Sequence, residues 1–142
     1  MIRYTTDLEG LDAAQLDGFF EGWPNPPSPE RHLDILRESY RVVLAVDEEK
    51  ECVVGFSTAV SDGVLAAYIP LLEVLPGYRG HGIGRSIMER MLNELEGLYM
   101  IDLVATEGRE AFYERLGFRE TKAMVRRDFD AQCGRDKKEP GD

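Results

Sequence analysis

Cysteine, histidine and tryptophan are all scarce in this chain: two, two and one in 142 residues. Cys52 and Cys133 lie far apart, with no further cysteine or histidine at ligand spacing, so neither a disulfide framework nor a metal site is expected. Cys52 opens an apolar run and reads as a small core residue. Cys133 lies in a polar tail, and a lone cysteine is a weak signal for a nucleophile. No apolar run approaches the ~20 residues that span a bilayer, and the start, MIRYTTDLEG, has no apolar signal segment. No membrane association is expected, and the expected compartment is the cytoplasm. Basic residues are the minority, 17 against 27 acidic, for a net charge of −10. That argues against nucleic acid, which rewards basic stripes. It suits a cationic small molecule, because a negative field concentrates amines.

What is present is ordinary for a globular chain, 43% hydrophobic and 31% charged. The length suits one domain with a proper core. The most informative stretch is Leu72–Met88, LEVLPGYRGHGIGRSIM. An apolar strand runs to Val74 and Pro76-Gly77 ends it, since proline cannot donate to a sheet ladder. Glycines follow at positions 80, 82 and 84, and helical rows begin at once: Ile83-Ile87-Met91-Leu95 and Met88-Leu92. Glycines at a helix mouth leave the first backbone N–H groups uncovered at the positive end of the helix dipole. Such a mouth is a cradle for a phosphate or pyrophosphate. Neither the dinucleotide fingerprint G-x-G-x-x-G nor the P-loop lysine is matched.

The pattern R-x-x-G-x-G at Arg79–Gly84, after V-x-P-x-Y-R-G at Val74–Gly80, resembles the acyl-CoA pyrophosphate loop of the GNAT superfamily of N-acetyltransferases. Downstream, Phe112-Tyr113-Glu114-Arg115-Leu116-Gly117-Phe118 resembles that family's second signature, a short helix ending in Gly-Phe. Two signatures in order are more specific than either alone. The resemblance implies an acyl-CoA-dependent N-acyltransferase with acetyl-CoA (coenzyme A) as cofactor. The acceptor implied is an amine of a small molecule or peptide, attacked directly in a ternary complex. A CoA-binding regulatory or interaction module without turnover is the alternative, and a homodimer stays open.

Along the chain, Ile2–Thr6 reads as a strand, Leu11 or Asp12 to Trp23 as a helix, and Ser28 as the cap of a second helix carrying Leu33, Leu36 and Tyr40. Strands follow at Tyr40–Val46, Cys52–Val60 and Val64–Val74, then the Gly84 helix, a parallel strand at Tyr99–Ala105, a short helix near Glu110–Leu116, and strands within Phe118–Phe129. The order β-α-α-β-β-β-α-β-α-β-β is that of the GNAT fold: α+β, a mixed, mostly antiparallel twisted sheet with helices on both faces. One domain is expected over 1–130, with a loosely held polar tail at 131–142. Pro70 should disturb its strand. The resemblance places a β-bulge at Leu71–Val74, splaying this strand from its parallel neighbour so that free backbone groups can hold the pantetheine arm.

The cofactor residues implied are Leu72, Glu73 and Val74 on that strand; Arg79, Gly80, His81, Gly82, Ile83, Gly84, Arg85 and Ser86 at the loop; and Thr106 and Phe112 beyond. Thr106 departs from the asparagine that many members carry there. Tyr113 stands where the family's phenolic acid stands, and a phenol with pKa near 10 suits a thiolate of similar basicity; a packed core tyrosine is the bland reading. Glu73, the acid inside the apolar strand, is the candidate base if burial raises its pKa; facing solvent or pairing with arginine is the other reading. His32, in the second helix, and His81, in the loop, are not well placed, and a water chain is an alternative. By resemblance Trp23–Pro29 and Thr121–Arg127 border the acceptor. Trp23 either stacks on it or closes its helix onto the core.

Overall fold

The computed structural model describes residues 1–136. Five strands form one sheet in chain order: β1 (Ile2–Thr5), β2 (Arg41–Asp47), β3 (Cys52–Ser61), β4 (Ala66–Val74) and β5 (Met100–Asp102). The first four pair antiparallel, and β5 runs parallel to β4. The helices are α1 (Pro29–Glu38), α2 (Ile83–Glu94) and α3 (Glu110–Glu114). Parallel pairing needs a crossover, which α2 supplies.

Alternation in β2 sends Val42, Leu44 and Val46 to one face and Val43 and Ala45 to the other. Leu33 and Leu36 of α1 join the first set, together with Phe20 and Phe56. Ile83, Ile87, Met88 and Met91 of α2 cover the second, as their four-residue rows require. α1 begins at Pro29, and the Ser28 hydroxyl accepts from Arg31 N–H at 3.1 Å. Gly55 sets the approach of α2: a Cβ there would stand 2.9 Å from Ile87 Cδ1. Among the described residues, no helix is long and apolar enough to cross a membrane.

Three expectations need correction. The helix expected from residue 11 or 12 to Trp23 is only a 3-10 turn at Ala13–Leu16. Gly18, Phe20 and Gly22 all take positive φ, at 91°, 65° and 81°, which no α-helix accommodates. The strands expected within Phe118–Phe129 are absent; apart from Phe118, that stretch is exposed and a 3-10 turn begins at Phe129. The bulge lies at Ile69–Pro70, opposite Ala59, rather than at Leu71–Val74, because Thr58 pairs with Leu71 but Val60 pairs with Tyr68. Proline lacks the N–H a ladder needs, so the register slips at the proline itself. The strand read as Tyr99–Ala105 forms over Met100–Asp102.

The tail expected to be loose from residue 131 makes two contacts over its described part. Asn25 N–H donates to Gln132 Oε1 at 2.8 Å, and Arg31 pairs with Asp136 at 2.8 Å. Residues 137–142 of that tail lie outside the described residues.

Candidate active site

β4 and β5 share a ladder only at Ala66–Tyr68 with Met100–Asp102. Beyond Tyr68 the edge of β4 facing away from β3 has no strand beside it among the described residues, so its backbone groups there, apart from the Val74 carbonyl that Arg79 occupies, are open to a ligand. The Ser57 hydroxyl donates to the Leu71 carbonyl at 2.7 Å from the opposite side and steadies the strand past the bulge. The β4–β5 ladder thus ends where β5 ends, at Asp102, two residues short of Pro70 on β4.

α2 begins beside this gap. Its N-cap is Gly82 with φ 80°, no side chain caps it, and no acid lies in its first turn. Ser86 N–H is the first to bond back into the helix, to the Gly82 carbonyl at 3.0 Å, so the N–H groups before it point out unclaimed. Nothing stands within 4 Å of where a Cβ would be at Gly80 or Gly82, while a Cβ at Gly84 would lie 3.7 Å from Val74 Cγ2 and 3.8 Å from Phe112 Cζ. The strand, the helix mouth and α3 thus converge on Gly84. This uncovered donor set is chemically matched to a pyrophosphate.

Tyr113 is half-buried beside Phe112, ring centroids 5.0 Å apart, and Phe118, at 6.0 Å. Burial pushes its phenol above the ordinary range, against a smaller downward pull from the Arg109 charge. It therefore holds its proton at neutral pH.

The charged residues of the loop are placed differently from what the motif suggests. Arg79 Nε donates to the Val74 carbonyl at 2.9 Å and its Nη2 reaches Glu21 at 2.8 Å, so it closes the end of β4 and ties in the residue 17–23 loop. Arg85 pairs along its own helix with Glu89 at 2.7 Å. His81 is exposed. Glu73 is half-buried, and its carboxylate accepts from Phe20 N–H at 2.8 Å and Glu21 N–H at 3.3 Å. Leu72 and Val74 pack on the α2 side, and Thr106 is exposed after β5, where its carbonyl accepts from Arg109 N–H at 3.0 Å. Ile83 is buried and Ser86 half-buried in the first turn of α2.

Two groups have surroundings that the sequence did not show. Tyr78 donates its hydroxyl to Asp47 at 2.6 Å, tethering the phosphate loop to the β2–β3 turn. That bond holds the Asp47 carboxyl below its usual range and the Tyr78 phenol above, and Lys50 is raised by the same phenol. The tyrosine of V-x-P-x-Y-R-G was the available signal; its partner was not. His32 is the other: 1% exposed, it stacks among Phe19, Phe20 and Phe56, and neither ring nitrogen has a partner among the described residues. Burial lowers its pKa to about 4. A cavity of ≈ 100 Å³ adjoins it, lined also by Asp17 and Ser28. Trp23 packs against Phe20 at 4.8 Å. Among the described residues no group of His, Cys, Asp and Glu could hold a metal, and both cysteines are free.

The mixed α+β sheet, its fourth and fifth strands laddered only as far as Tyr68, and the uncapped glycine start of α2 together define the class of fold. The model of the acetyltransferase (GNAT) domain matches residues 38–120. The chain belongs to the GNAT acetyltransferase family. A crystal structure of an acetyltransferase-family protein from Deinococcus radiodurans R1 is 50% identical, with a TM-score of 0.90, over 94% of this chain and 92% of that one. Among curated relatives, GCN5-related N-acetyltransferase 1, chloroplastic, of Arabidopsis thaliana is 31% identical over 83% of this chain and 60% of its own length. Serotonin N-acetyltransferase 2, chloroplastic, of Oryza sativa is 33% identical over 77% and 57%. The chain thus spans roughly three fifths of the curated relatives it matches, by those two coverages.

Proposed function

We propose that residues 1–130 form one domain that moves an acetyl group from acetyl-CoA to a primary amine of a small molecule or peptide, by direct attack in a ternary complex. The observation that carries this is the convergence of β4, the uncapped mouth of α2 and α3 on Gly84. The family match and the rice relative, whose name specifies an amine, support it. Two unpaired cysteines favour a reducing compartment, and we place the protein in the cytoplasm.

When bound, acetyl-CoA supplies an acetyl thioester. The N–H groups of Gly82, Ile83, Gly84 and Arg85 hold its pyrophosphate, with Gly80, His81 and Ser86 bordering it. The free edge of β4 at Leu72–Val74 takes the pantetheine arm and offers N–H donors where negative charge develops on the carbonyl oxygen. Phe112 and Thr106 close the far side, and Arg79 acts by fixing the end of β4. Tyr113 donates its phenolic proton to the departing sulfur. Glu73 has carboxylate lone pairs beyond the two in use, and in this reading they receive the proton of the incoming amine, directly or through water.

The test is thiol release from acetyl-CoA across a panel of primary amines, followed by single-turnover comparison with Tyr113→Phe. Cofactor affinity should hold while acetyl transfer falls roughly 10²–10³-fold, the usual worth of a positioned acid. Cofactor binding without thiol release for any amine would favour the silent module. A Phe variant as fast as wild type would move proton delivery to another group.

A further inference from the structure

The cavity beside His32 has unmet polar groups at its base and at its rim. It holds ≈ 100 Å³ between the residue 17–20 loop and the start of α1. Leu16, Phe20, Pro27 and His32 are its buried lining, and Asp17 and Ser28 are exposed at its edge. His32 is 1% exposed, and neither ring nitrogen has a partner among the described residues. A neutral imidazole carries one donor and one acceptor, and leaving both unmade in the interior is costly. Asp17 is the second unmet group: its carboxylate has no ion pair or hydrogen bond among the described residues.

Size and charge narrow the occupant. An apolar cavity of about 150 Å³ takes a benzene, so this smaller one takes a head group with one or two carbons. Burial keeps His32 neutral at pH 7, which leaves Asp17 as the only formal charge in the lining. The start of a helix ordinarily favours an anion, but here its donors are engaged. Pro29 has no N–H, Arg31 N–H goes to the Ser28 hydroxyl at 3.1 Å, and His32 N–H goes to the Ser28 carbonyl at 2.8 Å. Glu30 adds an acid to that turn. The Asp17 carboxylate and one imidazole nitrogen remain as acceptors, and their complement is a compact cation that only donates: a primary ammonium.

An ammonium held against a carboxylate keeps its proton, and a protonated amine cannot attack a carbonyl. The group in this cavity is therefore not the amine that reacts. We propose that the cavity beside His32 is a subsite for a second primary ammonium, and that the acceptor carries two primary amines, one seated on Asp17 and His32 while the other is acetylated. The subsite stands on the cavity alone; the two-amine acceptor rests on the acetyl-transfer reading above.

Two measurements separate these parts. Ethylamine titrated into the full chain without cofactor, followed by NMR, should bind saturably while ethanol does not. Asp17→Asn and His32→Phe should each weaken that binding roughly tenfold or more, the worth of a hydrogen bond to a charged group. Asp17 is exposed, so its variant keeps the test open if His32→Phe disturbs the core. With acetyl-CoA present, diaminobutane should be acetylated with a kcat/KM roughly tenfold or more above that of aminobutanol, which has a hydroxyl in place of the second amine. Asp17→Asn should bring the two down to the statistical advantage of two equivalent ends. Absent ethylamine binding, equal binding of ethanol, or binding indifferent to both substitutions overturns the proposal, because water would then be the occupant. An active enzyme that treats diaminobutane and aminobutanol alike overturns it too. Ethylamine binding that both substitutions weaken, without thiol release from any amine, upholds the ammonium subsite and overturns the acetyl-transfer reading instead.

Discussion

His32 sits in the aromatic pocket of Phe19, Phe20 and Phe56, with no partner for either nitrogen among the described residues. Its charge would therefore be stranded, and burial lowers its pKa from 6.5 to about 4. Because the folded state refuses a proton the unfolded chain accepts, the contribution is fully present above pH 6.5. It is lost as pH falls from there towards the folded value of about 4. The two values differ enough for about 3 kcal/mol of pH-dependent stability. Replacing His32 with Phe should flatten the acid limb of a plot of denaturation free energy against pH over that window. Parallel limbs for the two proteins would mean that water already hydrates the ring and that the pKa is ordinary. Phe20 shows strain of another kind: an aromatic residue at φ 65°, held there by its buried ring and by the Glu73 carboxylate on its N–H. That bond ties the residue 17–23 loop to β4.

At the scale of elements, the placing of α2 decides whether its mouth meets the gap, and Gly55 decides the placing of α2. A Cβ at Gly55 would meet Ile87 Cδ1 at 2.9 Å and, at 3.4 Å each, Ile83 Cγ2 and the Glu73 carbonyl. Gly55→Ala should cost about 1–3 kcal/mol, the usual range for overpacking, and should weaken acetyl-CoA binding as the first turn of α2 is pushed out. Calorimetry with acetyl-CoA and denaturant titration check the two effects; wild-type values in both would show that Ile87 yields without moving the helix. Gly55 carried no mark in the sequence, since a glycine in a strand does not announce what leans on it. The strands β1–β4 and α2 were legible because period-2 and period-3.6 patterns are strong there. The first helix misled because Leu16, Phe19, Phe20 and Trp23 have helical spacing, although Gly18 and Gly22 interrupt it with left-handed turns. Near the candidate site, the uncapped glycine start of α2 was legible from spacing and motif. The partners of Arg79, Glu73 and Tyr78 were not, because each bond joins residues distant in sequence: 58 positions for Arg79–Glu21, 53 for Glu73–Phe20 and 31 for Tyr78–Asp47.

At the scale of the whole molecule, the proposed function requires a chain of net charge −10 to bind a polyanionic cofactor. In that proposal the anion is met by backbone N–H groups at the uncapped mouth of α2, while Arg79 and Arg85 are engaged by Glu21 and Glu89. Backbone donors bind an anion without adding positive charge that would repel a cationic amine, so the overall field stays favourable to the acceptor. The two ligands should then respond differently to salt. With acetyl-CoA saturating, KM for a singly charged primary amine should rise severalfold as the Debye length is cut from ~10 Å at 0.1 M towards ~3 Å at 1 M salt. The change should appear in KM rather than kcat, because steering acts on encounter and not on the bound complex. A KM that stays level or falls with salt would locate recognition of the amine in short contacts such as those around Trp23 and His32, with the acidic surface serving solubility alone.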